Sequence, residues 1–526
     1  MTLEHLICFA RQQLADSPLR CTATIALVGI LLHIIGNEIV RARARVPGMK
    51  GPRGWPVIGN LWDIRTNAAA RFYDWSKTYG DVYQIQMGNT PVVVVNSAVA
   101  AKKLFVANSQ AISSRPITYT FHKIASTTAG LTIGTSPYDD SLKRRKKGAA
   151  AALNKPAIQS YVPHMDLESK DFIKDLLFYG KAGTVAIDPL PMIQRLSLSL
   201  AMTINWGVRV ACIEDPMFIE IVRVEEELNS FRSTTGNLQD YIPLLRMNPV
   251  NRNSAKAREM RQRRDAYLHT LNSGVIEKVN KGTDTPCIQA NVIKNEEAKL
   301  NDVELTSISL SMLSGGFETV ATTVQWSVAY FAIHPEIQDK AFNAIQEFQE
   351  PLKAETSGLP DVADDQKCVY IAAMAREALR YFTVIPLALP RASIRDVVYE
   401  GVRIPEGTTY YLNAWACNYD KNLWTDPEVF RPERWLEKPD APMFTLGIGY
   451  RMCSGHLLAH REVYLVFMRM LSSFRFKAVG EIKCNPSRDF KNPADLIMAP
   501  EPYRVLCVPR NETRLRRALD EWNPQG

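Results

Sequence analysis

Residues 444–456 read FTLGIGYRMCSGH, and the rest of the chain is best read outward from them. Cys453 has Gly449 and Arg451 before it and Gly455 after it. A helical pattern follows at once, with Leu457, Leu458, Val463, Tyr464, Phe467 and Met468 at helical spacing. A cysteine at a helix N-terminus sits at the positive end of the dipole, which favours thiolate over thiol. Glycines on both sides let backbone N–H groups approach the sulfur and let a flat ligand lie close. Arg451 is near enough to pair with an anionic group on such a ligand. The set suits a thiolate bound axially to haem iron. A buried structural cysteine in a glycine-rich loop is the plainer alternative.

Two further stretches gain meaning beside that loop. EALR (377–380) lies in a helical pattern that puts Glu377 and Arg380 on one face, and Arg434 of RPERW (431–435) is a candidate third member. Alone, that spacing is a common helix salt bridge. Residues 302–333 read as one long helix that ends before His334-Pro335, with Asn301 and Glu304 as a capping box at its start. Within it, GGFETV (315–320) joins a glycine pair, which allows a local break or close approach by a ligand, to Glu318 and Thr319, an acid and a hydroxyl.

Composition narrows the classes. Over 526 residues, 46% are hydrophobic and 22% charged, which excludes a disordered or collagen-like chain. The net charge of +8 comes without a Lys/Arg run interleaved with aromatics, so no nucleic-acid groove is expected. Nine scattered cysteines without a CxxC pair predict reduced thiols facing the cytosol rather than disulfides or zinc. TATIALVGILLHII (22–35) is apolar enough to begin a membrane span, and RARAR (41–45) flanks it. Basic residues beside a span stay cytoplasmic, so the bulk of the chain is expected in the cytosol behind a single retained anchor over 1–45. A cleaved signal peptide is the alternative. Residues 46–60, VPGMKGPRGWPVIGN, read as a stiff Pro/Gly hinge, and 61–526 as one large, mainly helical domain with minor sheet. Strands are expected within 81–95 and 392–412, a long loop over 113–140, and a helix with a dense basic face over 141–154.

Taken in order, the hinge, GGFET, EALR, RPERW and GIGYRMCSG resemble the cytochrome P450 superfamily over nearly the whole body. Two departures stand out. The family usually has an aromatic residue seven before the cysteine, and Leu446 stands there, with Phe444 two residues earlier. The family's Trp-x-x-x-Arg is also altered: Leu142 or Tyr138 replaces the Trp, and the cation is Arg145 or Lys146. SSRPITYTFHK (113–123), residues 132–169 and YRMCSGHLLAHRE (450–462) further resemble fungal phenylacetate and 3-hydroxyphenylacetate hydroxylases and patulin-type m-cresol and m-hydroxybenzyl alcohol hydroxylases.

The resemblance implies a P450 fold with an N-terminal transmembrane helix in the endoplasmic reticulum membrane. It implies haem b held by Cys453, with Arg451, Arg391 and Arg145 as candidates for its propionates and with Thr319 and Glu318 delivering protons. Glu377, Arg380 and Arg434 are structural in that reading. Partners are O2, a small monocyclic aromatic substrate and NADPH-cytochrome P450 reductase, since the chain has no flavin or nicotinamide fingerprint; Lys143–Lys147 is a candidate docking face. The pocket is expected from Phe121, Ile308, Met312, Phe317, Ile385, Leu387 and Leu389, with few cations besides Lys123 and with His122 adjacent. A buried carboxylate needs a paired cation, whereas a neutral phenol needs one or two hydrogen bonds, from Tyr119, Thr120, Thr127 or Thr128. The expectation is therefore methyl hydroxylation of m-cresol. Ring hydroxylation of m-hydroxybenzyl alcohol or of (3-hydroxy)phenylacetate is the alternative, and a thiolate-haem isomerase or a haem sensor the more distant one.

Overall fold

The computed structural model describes residues 18–127, 131–233, 235–248, 252–294, 300–349, 359–361 and 366–520. Its longer helices are α1 (Pro18–Ala44), α2 (Ala68–Tyr79), α3 (Asp140–Ala152), α4 (Val162–Tyr179), α5 (Leu190–Trp206), α6 (Pro216–Phe231), α7 (Arg252–Lys281), α8 (Asp302–Gly316), α9 (Glu318–Ile333), α10 (Pro335–Gln349), α11 (Val369–Phe382) and α12 (His456–Ser473). The sheet component is small, as the sequence predicts. β1 (Val82–Met87) and β2 (Thr90–Val95) form a hairpin, β3 (Arg391–Ala392) and β6 (Thr409–Leu412) complete a four-stranded sheet in the order β1-β2-β6-β3, and β4 (Val397–Tyr399) pairs with β5 (Val402–Ile404). β2 and β6 run parallel with Val92 opposite Thr409, and Arg391 of β3 lies opposite Tyr410.

The core is organised around α9. Every residue from Val320 to Ala332 is buried, so this mostly apolar helix has protein on all sides. Trp326 stacks on Phe382 of α11 and Phe331 meets Phe467 of α12 edge-on, in one cluster that also holds Phe172 and Leu176 of α4. The predicted capping box starts α8: the Asn301 side chain accepts from Glu304 N at 2.9 Å, and Glu304 accepts from Asn301 N at 3.2 Å.

Two expectations differ from the structure. The stretch 302–333 is two helices, because Phe317 adopts φ −83°, ψ −75° and interrupts the ladder between Gly316 and Glu318. The 113–140 region contains a helical turn over Tyr119–Ala125, which buries Phe121, Ile124 and Ala125. Segment 46–60, read as a hinge, is stapled to β1: the Gln84 amide donates to Val46 O at 2.8 Å and Met49 O at 2.6 Å, and its oxygen accepts from Val46 N.

Within α1, Thr22–Ala44 is long and apolar enough to cross a bilayer, with a mean hydropathy of 1.9 and none of it buried. Its last turns are tied to the body. Asn89 donates to Asn37 at 2.6 Å, and Glu38 accepts from Val57 N at 3.1 Å. The polar residues Asn37 and Glu38 thus face protein at the end of the apolar run.

Candidate functional site

The cysteine loop is held by its own backbone. Cys453 N donates to Leu446 O at 2.8 Å, Gly447 N to Phe444 O at 2.9 Å, and Met452 N to Gly449 O at 2.9 Å. Gly449 has φ +67°, and a Cβ there would lie 2.0 Å from Phe105 O, so the position admits glycine alone. Leu446 in place of an aromatic residue leaves this frame intact, since position 446 contributes its carbonyl; Phe444 fills the apolar layer with Phe105 and Tyr410. Burial pushes the Cys453 thiol up while the backbone N–H of Gly455 pulls it down. Its surface is nonetheless open, which marks internal space. A buried sulfur in this state becomes a thiolate when a cation lies against it. Among the described residues, no cluster of three or more His, Cys, Asp or Glu is placed to hold a metal, so a metal at Cys453 must bring its other ligands with it.

Beside that loop lies a group of buried cations. Burial together with repulsion from Arg451 pulls Arg115, Lys146 and Arg391 down, Arg391 to about 9, and burial with repulsion from Arg145 pulls Arg451 to about 10. A guanidinium does not give up its proton in a protein, so an anion relieves this cost. Arg391 is open to one: Nη2 donates to Ile448 O at 2.5 Å, while the buried Nη1 has no partner. A flat macrocycle carrying two carboxylates and an iron fits both the sulfur and the cations.

The predicted cations are not all used as expected. Arg451 spends its guanidinium on the backbone, donating to Ser113 O at 2.6 Å, Ile133 O at 3.1 Å and Ser136 O at 2.7 Å. Arg145 turns toward the start of α8, to Leu131 O at 2.5 Å and Ser307 Oγ at 2.6 Å. Lys146 takes the place by the loop instead, with Nζ 2.8 Å from Tyr450 O and 3.9 Å from the Tyr450 ring centroid. Helical geometry separates neighbours 145 and 146 by about 100°, so one of the two faces the loop. Arg115, which sequence reasoning passed over, donates to Gly134 O, Leu389 O and Pro390 O.

Glu377, Arg380 and Arg434 come together in a fully buried cluster. Glu377 accepts from Arg380 Nε and Nη2 at 2.9 Å each, from Arg434 Nε and Trp435 Nε1 at 3.0 Å each, and from Arg431 N at 2.8 Å. The spare guanidinium hydrogens reach the carbonyls of Asn418, Thr425, Asp426 and Val429. Such saturation is what makes a buried ion pair tolerable.

At the α8–α9 break, Thr319 Oγ1 donates to Gly315 O at 2.8 Å. A Cβ on Gly315 would meet nothing within 4 Å, so the break opens on free space, whereas one on Gly316 would touch Ala201. Burial and the like charge of Glu225 push the Glu318 carboxyl well above the carboxylate range, against the pull of Arg232. Glu318 therefore holds its proton more readily than a free carboxyl does.

The expected pocket set divides. Phe121 and Phe317 share one apolar cluster with Leu228 and Leu313. Ile308 lies in another with Leu142 and Met312, and Leu387 in a third with Tyr83 and Tyr411; Ile385 lies on the edge of the α9 core. Several of the expected hydrogen-bonding groups already have contacts. Thr120 Oγ1 accepts from Gln239 at 2.8 Å, Arg246 covers the Tyr119 ring, and Thr127 accepts from Arg261; Thr128 lies outside the described residues. Lys123 is exposed, and His122 bonds Thr118 and Thr135 O.

Sequence reasoning missed the charges behind Phe121. The Arg232 guanidinium lies 5.0 Å over the Phe121 ring, and its buried Nε and Nη2 have no partner. Glu225 accepts from Ser314 Oγ at 2.7 Å. No short motif marks either residue: FR (231–232) merely ends a helical run.

The cytochrome P450 family model matches residues 49–507. The chain is 58% identical over 520 residues to the 3-hydroxyphenylacetate 6-hydroxylase of Emericella nidulans, covering 99% of this chain and 100% of that protein. It is 38% identical to the phenylacetate 2-hydroxylase of the same organism, covering 95% and 97%. It is also 38% identical to the cytochrome P450 monooxygenase CYP3 of Mycosarcoma maydis, covering 94% and 93%.

Proposed function

The chain belongs to the cytochrome P450 family, a family of haem monooxygenases that hold iron through a cysteine thiolate, and on that premise we propose that it hydroxylates the ring of a small arylacetate of the 3-hydroxyphenylacetate class. The observation that carries the substrate choice is the unpartnered Arg232 guanidinium over Phe121. The neutral-phenol expectation rested on a pocket with few cations besides Lys123, and Arg232 over Phe121 supports the acid instead. The 58% identity over the full length of a 3-hydroxyphenylacetate 6-hydroxylase supports the same reading. m-Cresol methyl hydroxylation ranks second.

Cys453 would hold the iron through its sulfur and Arg391 with Lys146 would meet the propionates, while Arg115 and Arg451 hold the loops around them. Haem, when bound, supplies O2 activation. Of the O2, one atom enters an aromatic C–H bond and the other leaves as water, taking two electrons and two protons. Glu318 holds a proton beside the break, and Thr319, tied to Gly315 O, orients its delivery. A cavity of about 70 Å³ lined by Asn229, Phe317, Glu318, Thr322, Gln325 and Ile497 has room for the waters that reload it. Electrons come from NADPH-cytochrome P450 reductase at the cytosolic face of the endoplasmic reticulum, with α1 as a single-pass anchor; fractionation after removal of residues 1–45 tests that placement.

Turnover of 3-hydroxyphenylacetate, phenylacetate, m-cresol and m-hydroxybenzyl alcohol with one reductase tests the substrate. Faster turnover of an acid is expected. Faster turnover of m-cresol would restore the neutral-phenol reading, and turnover of none of the four would remove the enzyme from this group.

A further inference from the structure

Arg232 is half-buried and follows the last turn of α6, whose buried residues include Phe218, Ile221, Val224 and Leu228. A long cation with two unpartnered nitrogens in such surroundings is costly unless something anionic comes to it. The nearby charges do not supply a pair: among the described residues, no carboxylate lies within salt-bridge distance of Arg232. Four groups bear on it: Glu225 and Glu318 attract it, Arg264 repels it, and Tyr267 is adjacent. Arg264 is itself fully buried, with Nε and Nη1 unpartnered. Burial pushes both Glu225 and Glu318 toward their neutral forms. Arg264 has Asp265 3.4 Å from its Nη2, whereas Arg232 faces only carboxyls that resist ionisation.

Resting on the arylacetate reading above, we propose that Arg232 is the residue that selects acids, its Nε and Nη2 taking the substrate carboxylate side-on while Phe121 covers the ring. Nε and one terminal nitrogen form one edge of the guanidinium fork, which matches the spacing of two carboxylate oxygens. The one-carbon tether of an arylacetate then leaves its ring against Phe121 and Phe317, next to the α8–α9 break that carries Thr319. Phe121 keeps the pair dry, which strengthens it. A neutral phenol of the same size leaves Arg232 unpaired, so discrimination comes from the empty cation as much as from the filled one.

The test uses the full-length haem-loaded protein and spectral titration with 3-hydroxyphenylacetate and its uncharged amide, 3-hydroxyphenylacetamide. Arg232→Gln is expected to weaken acid binding ~30-fold or more, as for breaking a buried charge pair, with amide binding little changed. Equal losses for acid and amide, or no loss for either, would overturn the assignment and make Arg232 a packing residue. If Arg232→Gln fails to load haem, Arg232→Lys decides. It keeps the charge but loses the fork, and is expected to weaken the acid alone relative to wild type; equal behaviour toward both ligands again overturns the proposal. Wild-type protein that binds neither ligand refutes the arylacetate reading itself and the proposal with it. Wild-type binding of the acid with an indifferent Arg232→Gln refutes the proposal alone.

Discussion

At the cysteine loop, residues 444–456 carry their own geometry: backbone bonds between Phe444, Leu446, Gly447, Gly449, Met452 and Cys453 fix the sulfur. At the α8–α9 break, the groups that bear on one another come from residues 121, 225, 232, 264 and 318, far apart in the chain. The first site is a local backbone conformation that glycines make possible, so it reads directly from sequence. The second is a meeting of side chains that exists only once α6, α7 and α8 have packed. The local site is therefore legible in sequence, and the assembled one is not.

The largest effect is expected at the sulfur. Cys453→Ala should abolish the thiolate signature of the reduced carbon monoxide complex and all turnover, while changes at buried Cys417, Cys484 or Cys507 should keep it. A normal spectrum from Cys453→Ala would break the comparison at its firmer end.

Next comes the cluster around Glu377. Glu377→Ala strands two buried guanidiniums, and removing one partner of such a pair costs about 3–5 kcal/mol. Thermal unfolding should fall accordingly, with little folded haem protein recovered; an unchanged midpoint would show that the carbonyl contacts of Arg380 and Arg434 suffice.

Thr319→Ala tests the assembled site's chemistry. Haem and substrate binding should persist while product per NADPH falls about tenfold or more and peroxide rises. Full coupling would leave Thr319 with only its structural bond to Gly315 O.

The smallest effect sharpens the contrast from the other side. Leu446→Phe restores the aromatic residue usual at that position, yet the loop uses the carbonyl of 446, and its side chain is half-buried. Stability and the carbon monoxide spectrum should change little, within about 0.5 kcal/mol. A marked spectral shift would mean that the side chain, and not the backbone frame alone, tunes the sulfur.

The particular residues show where sequence reasoning stops. The helix after Cys453, the capping box of Asn301 and Glu304, the β1–β2 hairpin and the Glu377 face were readable because each rests on spacing within a few residues. The break at Phe317 was half-readable: Gly315 and Gly316 permit it, but an uninterrupted apolar period hid it. Sequence left Arg145 and Lys146 open because the angle at which α3 packs on α8 is a tertiary fact. Ile308 and Leu387 were assigned to the pocket by proximity to motifs, and each packs into a different core. Arg232 was invisible because a lone arginine at a helix end normally faces water, and here Phe121 covers it.

The central claim is that a thiolate-haem enzyme places oxygen on the ring of an acid held by its carboxylate. The most direct measurement supplies heavy-isotope oxygen gas, reductase and 3-hydroxyphenylacetate to the full-length protein, then locates the label in the product. One labelled oxygen on a ring carbon, with the carboxylate unlabelled, is the predicted result. Label on the side chain, an unlabelled product, or the acid recovered unchanged while m-cresol is consumed would contradict it.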